Sequence, residues 1–154
     1  MKQNFAIITV FCALIGLSLS SCRYHQDERQ LKDEANAFAD RYFNWQFEKA
    51  QSHCSPRSQK WMVYAASQVH QEDVDQLRSM DEGPSLQLNG VAYDEGDTTA
   101  TVLLQVRNFV LMDSIGTVAH VIDKADFKLN MIFVDSHWKV DLKELPRPLK
   151  KMDD

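Results

Sequence analysis

Apolar residues in this chain keep a spacing of three and four up to Gly83-Pro84 and a spacing of two beyond it. The first spacing lines one stripe of a helix and the second lines one face of a strand. The chain therefore reads as a helical half followed by a sheet half. In the first, Leu31, Ala35, Phe38, Ala39, Tyr42 and Phe43 share a stripe that Trp45, Phe47 and Ala50 widen. Asp33, Asp40, Asn44 and Glu48 lie opposite, which predicts one amphipathic helix over about 27–51. Ser55-Pro56 supplies an N-cap followed by Pro at the first helical position. A second helix is expected over about 56–69, presenting Trp61, Met62, Tyr64, Ala65 and Val69. A third, short and acidic, is expected over about 71–80 around Val74 and Leu77, and Gly83-Pro84 ends the run.

Beyond Pro84 the last two strands are the most sharply defined. Phe127, Leu129, Met131 and Phe133 alternate with polar residues, as do Trp138, Val140 and Leu142. A two-residue loop at Asp135-Ser136 sets Phe133 opposite Trp138, Met131 opposite Val140 and Leu129 opposite Leu142, all on one face. Two longer strands, about 98–111 and 117–134, join around Asp113-Ser114-Ile115-Gly116. Each changes parity midway, near Arg107-Asn108 and between Asp123 and Asp126, which predicts a shared bulge or bend curving the sheet. An earlier strand, Leu86 to Tyr93, pairs through Asp94-Glu95-Gly96-Asp97. Helices first and strands after define an α+β class: N-terminal helices packed on a curved antiparallel sheet of four or more strands. The outer sheet face, with Lys128, Asn130, Lys139, Asp141 and Lys143, is expected to be solvated, with Ile132 and Val110 as seeds for a contact.

Length and charge limit the function classes. The 154 residues carry 17 Lys+Arg against 22 Asp+Glu, a net charge of −5, with no basic stripe to engage nucleic acid. An apolar fraction of 44% argues against disorder. What remains is one ordinary domain behind an N-terminal address.

That address begins with Lys2 and an uncharged, mostly apolar run from Phe5 to Leu19. A helix of this run spans roughly 22 Å at about 1.5 Å per residue, short of a bilayer core of ~30 Å, so it reads as a signal-peptide core. Leu19-Ser20-Ser21-Cys22 follows and resembles the lipobox of bacterial lipoproteins. That resemblance implies cleavage before Cys22, acylation of its thiol and acylation of the new N-terminus; several acyl chains hold a protein on a membrane durably. Arg23, not Asp, follows Cys22, so nothing resembles the usual inner-membrane retention signal, and the outer membrane is expected, on its periplasmic face or at the surface. The partition is a signal peptide at 1–21, a tether at 22–28, an α+β domain at 29–145 and a charged tail at 146–154. Cys12 leaves with the signal peptide and Cys22 takes lipid, so Cys54 has no disulfide partner and is expected as a small buried hydrophobe.

The long leading helix, the curved sheet and the closing Phe133-Val134-Asp135-Ser136-His137-Trp138-Lys139-Val140 hairpin resemble the nuclear-transport-factor-2-like (cystatin-like) superfamily over about residues 27–145. The resemblance implies a cone-like sheet wrapped around the helix with an apolar pocket. Some members are isomerases, dehydratases or cyclases, and many are non-enzymatic binding or dimerisation modules. For isomerase-type members a carboxylate and a donor work in a dry pocket, where burial shifts pKa values toward neutrality. On that analogy the residues facing the pocket are Tyr42, His120 and Asp126, although they match no family motif residue by residue. His120 shares a strand face with Val118 and Ile122, which puts it inside the curve.

Other constellations are weaker. Asp135-Ser136-His137 holds the three triad residue types, but adjacent residues in a hairpin turn cannot place an imidazole between nucleophile and carboxylate. His53, Cys54, His70 and Glu72 lack metal-ligand spacing, and no Gly-rich phosphate loop or other cofactor motif occurs. Tyr42, Phe43, Trp45, Phe47, Trp61 and Tyr64 either fill the core or line a ligand cavity. The first reading is thus a lipid-anchored, non-catalytic module that binds a small apolar ligand or an envelope protein. The second is an isomerase- or dehydratase-like enzyme, and the third is a purely structural domain whose aromatics fill its own cavity. A homodimer stays open.

Overall fold

The structure, a computed structural model, describes residues 27–112 and 118–150. The signal peptide, the lipobox with Cys22, the tether up to residue 26, the 113–116 turn and the last four tail residues lie outside the described residues. The elements run α1 (residues 27–43), α2 (Phe47–Gln51), a 3-10 helix (Pro56–Ser58), α3 (Gln59–Ser67) and α4 (Gln71–Arg78). Then come β1 (Ser85–Tyr93), β2 (Thr99–Leu111), β3 (His120–Val134) and β4 (His137–Val140). The strands form one antiparallel open sheet in the order β1-β2-β3-β4, so the class is α+β as the periodicity implies. No helix among the described residues is long and apolar enough to cross a membrane.

The stripe of α1 is the centre of the core. Leu31, Ala35, Phe38, Ala39 and Phe43 are at most 2% exposed and pack on Val102, Leu104, Val106, Phe127, Leu129, Met131, Trp138 and Val140. The helix does not continue to residue 51. Gln46 N–H donates to the Arg41 carbonyl (2.8 Å) and Trp45 N–H to the Tyr42 carbonyl (3.0 Å), a C-terminal cap with Trp45 left-handed at φ 58°. Such a conformation is unfavourable for a bulky residue. It is held because the Trp45 indole N–H reaches across to the Val110 carbonyl on β2 at 3.1 Å. Periodicity alone runs through this break, since Phe47 and Ala50 return to the core after it. Trp45→Phe removes that donor and is expected to lower the unfolding free energy by about 1–2 kcal/mol in a urea titration. An unchanged midpoint would mean the ring alone holds the cap.

Ser55 also departs from its expected capping role. It precedes a 3-10 turn with Pro56 at its start, and its side chain makes no cap bond. α4 is capped instead by Asp73, whose carboxylate accepts the His70 N–H at 2.8 Å.

The closing hairpin keeps the expected register, with Phe133 opposite Trp138 and Met131 opposite Val140. Asp135 (φ 50°) and Ser136 (φ 65°) are both left-handed, as a tight two-residue hairpin turn requires. The expected third pair is not part of the ladder: β4 ends at Val140, and Leu142 N–H turns to the Ser58 hydroxyl at 2.7 Å. Between β2 and β3 the parity break falls where the alternation puts it, Asn108 facing Asp123. Pairing resumes at Phe109–Ile122 in unchanged register, so no residue is inserted. Asn108 is left-handed (φ 51°), and its side chain donates to the Glu82 carbonyl at 2.7 Å. The irregularity between β1 and β2 is a register shift at Leu88/Gly90.

The β4 edge is covered. Trp138 N–H meets the Gln30 side chain, Val140 N–H donates to the His53 carbonyl, and Ser55 N–H donates to the Val140 carbonyl. Further along, Pro148 bridges Phe127, and Leu149 N–H donates to the Asp126 carbonyl at 2.7 Å. Residues 146–150 therefore occupy the β3 edge that β4 leaves free, where the sequence suggests only a charged tail.

Candidate functional site

The aromatic set divides into two groups. Phe43 sits 4.7 Å from Phe127, 5.3 Å from Phe109 and 5.1 Å from Tyr42, measured between ring centroids. Tyr42 stacks on Phe38 at 5.5 Å and meets Phe47 at 5.6 Å. What these rings leave is a cavity of about 20 Å3 lined by Tyr42, Phe43, Trp45, Phe47, Leu111 and Leu145 among others. That is room for about one water molecule, and the lining is almost wholly apolar. Burial pushes the Tyr42 phenol well above its ordinary value, so it stays neutral at any physiological pH. Trp61 and Tyr64 stand apart on α3, half-buried and edge-to-face at 6.2 Å, with the Lys60 ammonium 5.4 Å from the Trp61 ring.

The three residues suggested for acid–base work are not brought together. His120 pairs with Leu111 and so lies on the core-side face, as the alternation implies, but at the start of β3, where it is exposed rather than enclosed. Asp126 is opposite Gln105 on the outer face, exposed, and accepts the Gln105 side-chain amide at 3.0 Å. Tyr42 faces the core, so the sheet separates it from Asp126.

The main buried polar cluster was not legible in the sequence. Asp141, expected on a solvated face, is 6% exposed. It accepts the Ser55 hydroxyl at 2.8 Å and Arg57 Nε at 2.6 Å, pairs through its second oxygen with the other arm of the Arg57 guanidinium, and has the Ser58 hydroxyl at 3.4 Å. These bonds, the Arg57 bond foremost, outweigh burial and hold its carboxyl below the usual carboxylate range. Asp73 is a second buried carboxylate. Burial raises its pKa, but the Ala119 and His70 N–H donors and the His70 ring outweigh it, and the net shift is downward. Asp73 thereby ties α4 to the start of β3. Both sites have the form of structural clamps, and Asp141 also borders an open groove of about 360 Å3 lined by Lys128, Lys143, Arg147 and Lys150 among others.

Asp135, Ser136 and His137 are turn residues, with His137 Nδ1 2.9 Å from the Asp135 carbonyl oxygen. Among the described residues no group of three or more His, Cys, Asp or Glu side chains is placed to hold a metal. His53 instead meets Glu34 at 2.9 Å, beside Lys139. Cys54 is buried, and burial pushes its thiol up to about 12, opposed by the Lys139 charge, so it is an inert core thiol.

A roomier cleft lies at the end of the sheet that carries both hairpin turns. Its volume is about 150 Å3, and among the described residues its walls are Tyr93, Phe133 and Trp138, with Asp27 and Asp97 at its border. The Trp138 indole N–H is buried with no hydrogen-bond partner among the described residues, a cost of about 1–3 kcal/mol that a phenylalanine would not carry.

Fold and cavities together define a small α+β domain with a self-filled aromatic interior and one partly open aromatic cleft. No protein-family model and no curated protein matches the chain. Two solved structures are similar to it in fold. One is the intermembrane-space region of the chloroplast protein ARC6, at 16% identity and a TM-score of 0.39 over 79% of this chain and 89% of that one. The other is an NTF2-like protein involved in plasmid conjugation, at 13% identity and a TM-score of 0.33 over 79% of this chain and 48% of that one. At these identities and TM-scores the likenesses assign the chain neither a family nor a role.

Proposed function

We propose that this protein is a lipid-anchored component of a bacterial cell envelope, its folded part a non-catalytic binding or interaction module at the outer membrane. The anchoring rests on the Leu19-Ser20-Ser21-Cys22 motif behind a short apolar run and on Arg23 after the cysteine. The observation that carries the module reading is the 20 Å3 interior cavity. A cone-type isomerase needs a pocket that admits its substrate, and here the chain's own rings occupy that space. The exposure of His120 and the position of Asp126 across the sheet from Tyr42 support the same reading.

The anchor is tested by Cys22→Ala in the full-length chain. The variant is expected to lose the acyl mass from its N-terminal peptide and to leave the detergent-extracted membrane fraction almost completely, read by mass spectrometry and fractionation. A variant that is lipidated like the parent would overturn the assignment.

A further inference from the structure

We propose that the cleft formed by Tyr93, Phe133, Trp138, Asp27 and Asp97 binds a methylated ammonium group, such as that of choline. The proposal gives the module reading its ligand chemistry and rests on that part of it, not on the lipid anchor. Three observations carry it.

The first is the walls. Tyr93 and Phe133 stand 5.9 and 5.4 Å from the Trp138 ring, inclined to it by 66° and 57°. Tyr93 and Phe133, each set at a steep angle to the largely buried Trp138 ring, present aromatic surface from two directions above an indole floor, as recognition of a quaternary ammonium requires.

The second is charge. Asp27 and Asp97 are exposed and border the same cleft, and neither pairs with a cation among the described residues. Among the described residues no Lys, Arg or His lines it. A cleft with aromatic walls and two carboxylates selects a soft, poorly hydrated cation over an anion or a neutral alkyl group. A strongly hydrated ammonium, which gives up its water reluctantly, suits it less well.

The third is size. A cavity of about 150 Å3 elsewhere accommodates benzene, which is close to a trimethylammonium head in bulk. The cleft here has the same volume, about 150 Å3, and is open on one side for the rest of the ligand.

The cleft is set by topology. Tyr93 closes β1, Asp97 sits in the β1–β2 turn, Phe133 and Trp138 flank the β3–β4 turn, and Asp27 is in the first described turn of α1. The Gln30 side chain bonded to Trp138 N–H holds that turn of α1 against the hairpin.

The test uses the full chain in a detergent without choline headgroups, titrated with choline chloride and read by tryptophan fluorescence. The expected result is a saturable response that the neutral carbon isostere dimethylbutanol does not reproduce. Phe133→Leu should weaken it about tenfold. Asp97→Asn, at an exposed turn position that leaves the fold intact, should weaken it about threefold at low salt and less at high salt. No saturable response to choline, an equal response to dimethylbutanol, or unaltered binding in both variants would each overturn the proposal. The source of the group is read by reconstituting the chain in phosphatidylglycerol vesicles and then replacing part of the lipid by phosphatidylcholine. A blunted choline titration identifies a lipid headgroup, and an unchanged one identifies a free solute. Neither result depends on whether Cys22 is acylated, so failure here leaves the anchor assignment standing.

Discussion

Phe43→Ala is expected to lower the unfolding free energy by about 3–5 kcal/mol, the loss that follows truncation of a fully enclosed aromatic ring. Phe43 is 2% exposed and lies between α1 and the sheet, in ring contact with Tyr42, Phe109 and Phe127. Truncation removes the transfer energy of the ring and leaves a void beside the existing 20 Å3 cavity. The surrounding rings come from α1, β2 and β3, so no single side chain can swing in to fill it. Urea denaturation at neutral pH measures the loss. A change below about 1 kcal/mol would mean that the helix settles onto the sheet and that the aromatic interior is less tightly filled than its geometry implies.

Asp141→Ala is expected to cost about 2–3 kcal/mol, the scale for losing hydrogen bonds to a buried charged group. The Ser55 and Ser58 hydroxyls, both buried, would lose their shared acceptor, and the contact between the 55–58 turn and the end of β4 would loosen. Arg57→Ala should cost less, because its side chain is 67% exposed and water replaces it at the rim. The two clamps are also expected to contribute to the acid sensitivity of the protein. Asp141 and Asp73 have folded-state pKa values below their unfolded ones. Each therefore contributes stability that is fully present above the unfolded value, about 3.9, and is lost as pH falls through the depressed folded value. Acid unfolding is expected to set in below about pH 4, and Asp141→Ala should flatten the pH dependence there while leaving it unchanged near neutrality. Equal slopes for parent and variant below pH 4 would remove Asp141 from that role.

The contrast between what is legible in the sequence and what is not is sharpest within the last strand. Alternation alone places Trp138 and Val140 correctly, because a strand's side chains must point to alternate faces whatever surrounds it. Asp141 follows the same alternation onto the outer face, yet it is buried, because the 55–58 turn folds over it there. Likewise the break at Trp45 is hidden from periodicity, since the helix stops for a cap and one indole hydrogen bond to β2. For His120 the alternation assigns the right face but not the exposure, which depends on contacts beyond its own strand.

By itself the sequence determined the α+β class, the order of the elements, the register of the closing hairpin and the shared parity break in β2 and β3. All of these follow from local periodicity, turn chemistry and pairing between neighbours in the chain. Only the tertiary structure decided that the aromatics fill their own cavity and that Asp141 is clamped by residues 84 and 86 positions away. It alone brought Asp27, Tyr93, Asp97, Phe133 and Trp138 around one cleft. Those outcomes depend on which edge or end of the sheet a distant segment covers, and side-chain spacing along one strand carries no information about that.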